Sequence, residues 1–314
     1  MARRVHGEAV MSKAHERNGP KSSVSTTLRD LVRASGGGLL VGLPLLYTLE
    51  MWAHSFLLPS WKIVVLVGVA FVVVVGYSAV SGFRRDRTWT ELLIDSVETM
   101  GIAAVVSTVA LLLLGRIGAE TGLRDAVGKI ALEMIPVAFG VSLAGTQLAS
   151  PEDDPEDAED QGSAVANEGG VGAFGRLFIA GGAALLFALN IAPTEEPVLL
   201  GVEAEWWMLL LVVPATLAIT FALVFYADFR GGRAFEVGDS PLDHPFTETL
   251  AAYAVSLLVC LLLMWAFGRT DGASWSTIVG QTVMLAVVAS FGAAAGRLLV
   301  GGPPEKQQQP QEAS

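Results

Sequence analysis

Long runs of apolar residues constrain this 314-residue chain more than any other feature of its sequence. Each run has about 20 residues, enough for a helix to cross a hydrocarbon layer of about 30 Å. A backbone inside lipid has no water to bond with, so only helices and closed barrels can span it. The alternating pattern of barrel strands is absent from the sequence. The chain is therefore predicted to be an all-α, polytopic membrane helix bundle.

The apolar runs predict about eight transmembrane helices and set the domain boundaries. The predicted spans are 34–57, 61–80, 91–114, 126–148, 173–192, 205–227, 246–267 and 276–299. They divide the chain into five parts. Residues 1–33 are predicted to be a disordered cytoplasmic tail, 34–148 a first membrane unit, and 149–172 an acidic cytoplasmic linker. Residues 173–300 form a second membrane unit, and 301–314 a cytoplasmic tail.

Charge is distributed unevenly along the chain. The net charge is −11, and residues 151–170 alone contribute eight acids with no Lys or Arg, as expected of a solvated tether. Most Lys and Arg residues fall on the side of the N-terminus, so the positive-inside rule predicts a plasma-membrane protein with both termini cytoplasmic. Arginine outnumbers lysine, and with acidic soluble segments this favours the high-salt cytoplasm of a halophilic archaeon.

The two membrane units share residues in the same order. Val127, Gly128, Phe139 and Gly140 recur as Val279, Gly280, Phe291 and Gly292, all at an offset of 152. Three motifs also recur in order: Thr48–Glu50 with Thr194–Glu196, Tyr77–Arg87 with Tyr226–Phe235, and Thr90–Leu93 with Thr247–Leu250. Because each unit holds four helices, the copies point the same way, which predicts two parallel four-helix repeats.

Ionisable residues inside the predicted spans are the candidate functional groups, because charge in a bilayer is costly. Acids on one face beside a lysine suit a cation or proton path, and a buried carboxyl can exchange protons. The candidates are Glu50, Asp95, Glu98, Lys129, Glu133 and Glu196.

Some of the ionisable residues also have a structural interpretation, whereas Glu50 and Glu98 are the hardest to explain structurally. Glu91 and Asp95 lie near the start of a span, where acids suit a helix N-terminus. Lys129 and Glu133 are four residues apart and can form a structural pair. Extending the repeat places Ala252 and Val255 opposite Asp95 and Glu98, and Gln281 and Leu285 opposite Lys129 and Glu133. The ionisable chemistry is therefore expected in the first unit.

Prolines predict irregular helices. The segment Asn190–Pro197 (NIAPTEEP) carries two acids between two prolines, and a helix broken there could bind a cation together with Glu50. The alternative is an exit turn in an acidic outer loop. Pro44 and Pro136 lie within spans and are expected to kink their helices.

Other classes of function find no support in the sequence. No hydrolase, metalloprotease or dinucleotide-binding motif occurs, so no enzyme activity and no cofactor are expected. The single cysteine, Cys260, lies in an apolar run. Nothing favours a nucleic-acid partner, the lipid bilayer is the expected environment, and the metal question and oligomeric state stay open.

Three segments resemble a known family. They are GGGLLVGLPLLYTLEMW (Gly36–Trp52), ELLIDSVETMG (Glu91–Gly101) and APTEEP (Ala192–Pro197). They are similar to a family of putative integral membrane proteins of unknown function found in haloarchaea and some bacteria, and the resemblance covers most of 30–300. It implies a multi-span membrane protein and assigns no catalytic residue. The expected function is a small-cation or proton-linked transporter or channel. The alternative is a non-catalytic membrane scaffold or sensor whose buried charges are structural.

Overall fold

The computed structural model describes residues 24–81, 88–147, 173–230 and 244–300, and these are entirely helix and short connection. The linker and both predicted tails lie mostly or wholly outside the described residues. The described helices are α1 (Val24–Leu46), α2 (Leu49–Leu57), α3 (Ser60–Ser81), α4 (Trp89–Leu113), α5 (Leu123–Gln147), α6 (Ala173–Leu189), α7 (Glu196–Glu203), α8 (Trp206–Arg230), α9 (Pro245–Ala266) and α10 (Trp275–Val300).

Six of the predicted spans are confirmed as helices long and apolar enough to cross a membrane. They are α3, α4, α5, α8, α9 and α10, and their ends lie within three residues of the predicted ends. Helix α6 is apolar but has only 17 residues, or about 25 Å of length. Eight crossings therefore remain a prediction.

The first predicted span, 34–57, is wrong as a single helix. Helices α1 and α2 bend by 79° at a break between Leu46 and Leu49. Thr48 adopts an extended backbone there, and its hydroxyl donates to the carbonyl of Pro44 at 2.6 Å. The break thus follows the proline by one turn, because Thr48 offers the backbone a local alternative to the helix. The kink predicted at Pro44 is displaced towards Thr48.

The second half, from α6 to α10, has the same order of elements as the first half, from α1 to α5. In each half a helix is followed by a short helix of eight or nine residues and then by three long helices. Helices α5 and α10 are the central helices, since each packs against the other four helices of its half. The first and fourth helices of each half also pack together, as α1 with α4 and α6 with α9.

Close backbone contacts repeat at fixed offsets between the halves. Gly128 of α5 lies against Ser55 of α2, and Gly280 of α10 lies against Gly201 of α7. Likewise Gly140 meets the carbonyl of Gly37 in α1, and Gly292 meets the carbonyl of Ala183 in α6. The offset is 152 on the central helix and 146 on its partner, the same 146 that relates the Thr48 and Thr194 motifs.

Helices α4 and α9 correspond at an offset of 153, so the sequence match of Thr90 with Thr247 is one turn out of register. Both helices end at a glycine with positive φ, Gly115 at 66° and Gly268 at 76°. The backbone N–H groups of the C-cap residues Leu114 and Phe267 donate to carbonyls at the same relative positions, four and two residues earlier in the chain. In this register Glu248 stands opposite Asp95, whereas the sequence alignment placed Ala252 there.

Candidate functional site

Glu133 is the most unusual of the predicted site residues. It is ten residues from the start of α5, or about 15 Å along a helix of 25 residues, which places it near the middle of its span. Its side chain is 1% exposed. Neither carboxyl oxygen has a hydrogen-bond partner among the described residues. A fully buried and unbonded carboxyl thus lies in the centre of the helix bundle.

The fold of the first half explains how Glu133 is held. Helix α5 is surrounded by the other helices of its half, and the neighbouring residues Leu132 and Ile135 are buried in the apolar core. At the equivalent position of the second half stands Leu285, which is also 1% exposed. The frame therefore accommodates an apolar side chain here, and the carboxyl is a specific addition of the first half.

The electrostatics of this arrangement limit the state of Glu133. An ionised carboxylate that is removed from water and has no partner costs several kcal/mol. Such a group is tolerated when it carries a proton or is compensated by a cation or bound water. Glu133 is therefore a carboxyl near the middle of its predicted span, with the chemistry to bind and release a proton or a cation.

Lys129 pairs with Asp125. The sequence had suggested a pair with Glu133 instead. Its ammonium group donates to the Asp125 carboxylate at 2.7 Å and to the carbonyl of Arg116 at 3.1 Å. Asp125 also accepts a hydrogen bond from the hydroxyl of Ser55. The lysine side chain extends towards the helix end, as long cationic side chains do near a membrane boundary. Glu133 lies one turn deeper and takes no part in this contact.

The position of Lys129 has a structural counterpart in the second half. The side-chain amide of Gln281 donates to the carbonyl of Arg269, again at 3.1 Å. Lys129 and Gln281 are 152 residues apart, and Arg116 and Arg269 are 153 apart. Both side chains thus hold the carbonyl exposed by the positive-φ glycine turn. This shared geometry favours a structural role for Lys129.

The acids of α4 do not line its buried face. That face runs along Leu92, Ser96, Met100, Ala103, Ser107 and Leu111. Glu91 closes a capping box with Thr88, in which the Thr88 N–H donates to its carboxylate at 2.9 Å. Asp95 is half-buried and Glu98 is exposed. The first-turn interpretation of Glu91 is confirmed, and Glu98 faces the surroundings of the bundle.

The candidates at the predicted outer end also lie apart from Glu133. Glu50 is in the first turn of α2, half-buried, and its carbonyl bonds the ring of His54 at 2.6 Å. Glu196 begins α7 and is exposed. A hydrogen bond with the Thr194 side chain lowers the pKa of Glu196, and so does its own backbone N–H. Glu196 is therefore an ionised surface acid.

The Asn190–Pro197 segment is a break between α6 and α7, as its prolines predicted. The carbonyls exposed by the break bind a side chain of this chain. Arg269 donates to the carbonyls of Pro193 and Thr194 at 2.8 and 3.3 Å, and to the carboxylate of Glu195 at 2.8 Å. The guanidinium thus occupies the position where a bound cation had been considered.

Sequence analysis missed the ionic contacts that join distant elements. Lys62 at the start of α3 donates to the carbonyl of Trp265 at 2.9 Å and to Asp271 at 3.1 Å. Arg176 of α6 pairs with Glu248 of α9 at 3.2 Å. The Lys129–Asp125 spacing of four residues could have been recognised in advance, whereas the contacts of Lys62 and Arg176 need the tertiary fold.

Among the described residues, no group of three or more His, Cys, Asp or Glu side chains could hold a metal ion. Cys260 is a free, buried core residue. An apolar cavity of about 60 Å³ lies between the halves, where Val73 and Phe139 face Phe178 and Gly182. Its lining includes none of the predicted site residues.

Comparisons with known proteins agree with the membrane character of the fold. A family model described as "Putative integral membrane protein (DUF2391)" matches residues 30–300. No curated protein and no solved structure matches the chain.

Proposed function

The chain belongs to this family of integral membrane proteins, and within it we propose that it carries out proton-linked transport with Glu133 as the proton-binding group. The observation behind the proposal is a carboxyl that is fully buried, unbonded and central in its span. Buried ionisable residues of membrane spans commonly mark proton or ion pathways. Proton binding and release at Glu133 would couple the bundle to a pH gradient.

A proton fits Glu133 better than a metal cation does. A cation that has lost its water needs several oxygen ligands. Among the described residues no group of three or more His, Cys, Asp or Glu could hold an ion. Asp125 is bound by Lys129, and Glu98 is exposed. The broken segment after α6 binds Arg269. A proton needs one carboxyl alone. The small-cation version of the hypothesis is therefore the weaker one.

Proton flux into liposomes tests the proposal. Purified protein is reconstituted with a pH-sensitive dye inside, and a pH gradient is applied in the presence of a charge-compensating ionophore. Wild type is expected to move protons, and Glu133→Gln to reduce the rate at least tenfold, since the amide keeps the shape and cannot exchange a proton. The control Glu98→Gln should behave as wild type. A Glu133→Gln rate equal to that of wild type refutes the role of Glu133.

A membrane scaffold or sensor is the second candidate function. The pairs Arg176–Glu248 and Arg269–Glu195 join separate helices and loops, and Lys129 joins Asp125 of its own helix to the carbonyl of Arg116, as structural charges would. This candidate expects no proton movement by wild type and no role for the Glu133 carboxyl beyond packing. The liposome measurement therefore separates the two functions directly.

The proposed arrangement in the membrane has eight crossings, formed by two parallel copies of one unit with both termini in the cytoplasm of a plasma-membrane protein. The repeated glycine contacts and the matched turns at Gly115 and Gly268 support duplication. Cysteine labelling tests the orientation in a Cys260→Ala background. Ser163→Cys in the linker should react only with a membrane-permeant reagent in intact cells, and Glu120→Cys should also react with an impermeant one. The reverse pattern would invert the topology.

A further inference from the structure

The two halves contact each other through different faces. Helix α3 of the first half packs against α6 and α9 of the second half. Val73 lies against Gly182, and Gly76 lies against the ring of Phe178. Near the predicted outer end, Lys62 binds the Trp265 carbonyl and Asp271. We call the α3 surface the donor face and the α6–α9 surface the receiving face.

Each half carries both faces, and one of each is left open. The donor face of the second half lies on α8. Among the described residues, α8 packs mainly against α9 and α10 of its own half. Helices α3 and α8 begin 146 residues apart, at Ser60 and Trp206. At this offset the buried Ala70 and Val74 coincide with the buried Thr216 and Thr220. The sequence match of Tyr77 with Tyr226, at an offset of 149, is therefore three residues out of register. In the register of 146, Val73 corresponds to Ile219 and Lys62 to Met208. Ile219 is 50% exposed and Met208 is 40% exposed.

No other described helix covers the receiving face of the first half either. Phe178 and Gly182 correspond to Val32 and Gly36 of α1, and Trp265 corresponds to Leu112 of α4. Val32 is 65% exposed and Leu112 is 52% exposed. A Cβ added at Gly36 would meet nothing within 4 Å, whereas the next two glycines, Gly37 and Gly38, are packed against α5.

The open faces match each other residue by residue. Val73 against Gly182 becomes Ile219 against Gly36, again a β-branched side chain facing a glycine. Gly76 against Phe178 becomes Ala222 against Val32. The donor face therefore gains a methyl group where the receiving face has a smaller side chain. The charged bridge from Lys62 to Asp271 becomes Met208 opposite Leu112 and Gly118, in which charge is lost from both sides together.

From this matched pattern we infer that a second copy of this chain docks its α1–α4 receiving face onto the open α8 donor face of the first. A contact between two unlike faces can repeat, and it forms a ring if the rotation closes and an open array if it does not, whereas a two-fold contact would use the same face twice. The halves begin and end at the same end of the bundle, so a neighbour in the same membrane orientation can continue the contact. The inference rests on the correspondence between the halves and is independent of Glu133.

Cysteine cross-linking in membranes tests the interface. In a Cys260→Ala background, Gly36→Cys is co-expressed with Ile219→Cys and the membranes are oxidised. A cross-linked dimer is expected in the mixture, several-fold above the level given by Gly36→Cys with Val72→Cys, since Val72 is exposed elsewhere on α3. Cross-linking no greater than this control overturns the proposal. So does efficient cross-linking of Ile219→Cys with itself, which would indicate a two-fold contact.

Gly36→Leu provides an independent variant. The substitution faces open space within one chain, so thermal unfolding in detergent should stay as in wild type. The side chain would block the neighbour, and the protein in nanodiscs should change from an oligomer to a monomer by mass measurement. A monomeric wild type, or an unchanged oligomer in Gly36→Leu, contradicts the inferred interface.

Discussion

At the scale of single residues, two neighbouring charges on α5 have different fates. Lys129 reaches the helix end and binds Asp125 and the Arg116 carbonyl. Glu133, one turn deeper, has no hydrogen-bond partner in the described part of the chain. A long flexible cation can leave the apolar layer, whereas a short carboxyl side chain cannot. This difference makes Glu133 the residue whose presence most needs a functional reason.

Replacing the carboxyl should stabilise the protein. Glu133→Leu installs the residue that the second half has at the equivalent position, Leu285. Because an unsatisfied buried polar group costs about 1–3 kcal/mol, the variant should be more stable by that amount. Thermal unfolding in detergent, calibrated by denaturant titration, measures it. A less stable Glu133→Leu would mean that the carboxyl has a stabilising partner.

Substitutions of Lys129 should depend on whether the new side chain can donate. Lys129→Gln copies Gln281 and should keep the bond to the Arg116 carbonyl, with a loss of less than about 1 kcal/mol. Lys129→Leu leaves that carbonyl without the lysine donor and Asp125 with the Ser55 hydroxyl alone, and should cost about 1–3 kcal/mol. Unfolding midpoints of the two variants give the comparison. Equal losses would contradict the structural role of this position.

At the scale of helices, close packing through small residues holds each half together. Gly140 of α5 lies directly against the backbone of Gly37 and Gly38 in α1. Glycine-rich contacts of this kind let membrane helices approach closely and gain dispersion energy. The equivalent Gly292 lies against Ala183 and Phe187 of α6. The central helices are therefore fixed at corresponding points in the two halves.

A methyl group at Gly140 should separate α5 from α1. The added Cβ would overlap the carbonyl of Gly37, a backbone atom that cannot move aside cheaply. Gly140→Ala should therefore cost about 1–3 kcal/mol. Gly101→Ala on α4 is the matched control, because nothing lies within 4 Å of its added Cβ. If both variants unfold at the same temperature, the close contact is not important for stability.

The sequence predicted the long helices well and the interrupted ones poorly. Continuous apolar runs allow only helices in lipid, so the six long spans follow from length and hydropathy. The bend at Thr48 depends on one local hydrogen bond, to the Pro44 carbonyl, that competes with the helix. The Thr90–Thr247 match failed because helices α4 and α9 begin at different turns and end at equivalent ones. The Lys62–Asp271 and Arg176–Glu248 pairs needed the tertiary fold.

At the scale of the whole molecule, the two halves share a frame but not their chemistry. The corrected register gives Asp95 an acidic counterpart in Glu248, which pairs with Arg176. Glu133 has no acidic counterpart, since Leu285 stands in its place. Glu133 and the ionic bridge formed by Lys62 are therefore two of the places at which the halves differ. The Lys129–Asp125 pair is another, since Gln281 and Thr277 stand at the equivalent positions.

Lys62 should contribute to the junction between the halves. The buried ammonium binds the Trp265 carbonyl as well as Asp271, which is itself largely exposed. Lys62→Met, which copies Met208, should cost about 1–2 kcal/mol through the lost bond from the buried ammonium group to the Trp265 carbonyl. Asp271→Asn should lower the free energy of unfolding by only about a few tenths of a kcal/mol, because solvent screens the exposed carboxylate. Unfolding midpoints would contradict this assignment if Asp271→Asn were the more damaging change.

The rate of proton uptake by liposomes containing Glu133→Asp and Glu133→Gln side by side tests the proposed transport role most directly. If an exchangeable proton at this position carries the function, Asp should retain a measurable part of the wild-type rate and Gln should fall to the level of empty liposomes. If Gln keeps the wild-type rate, the carboxyl chemistry of Glu133 is not used and proton-linked transport through it is excluded.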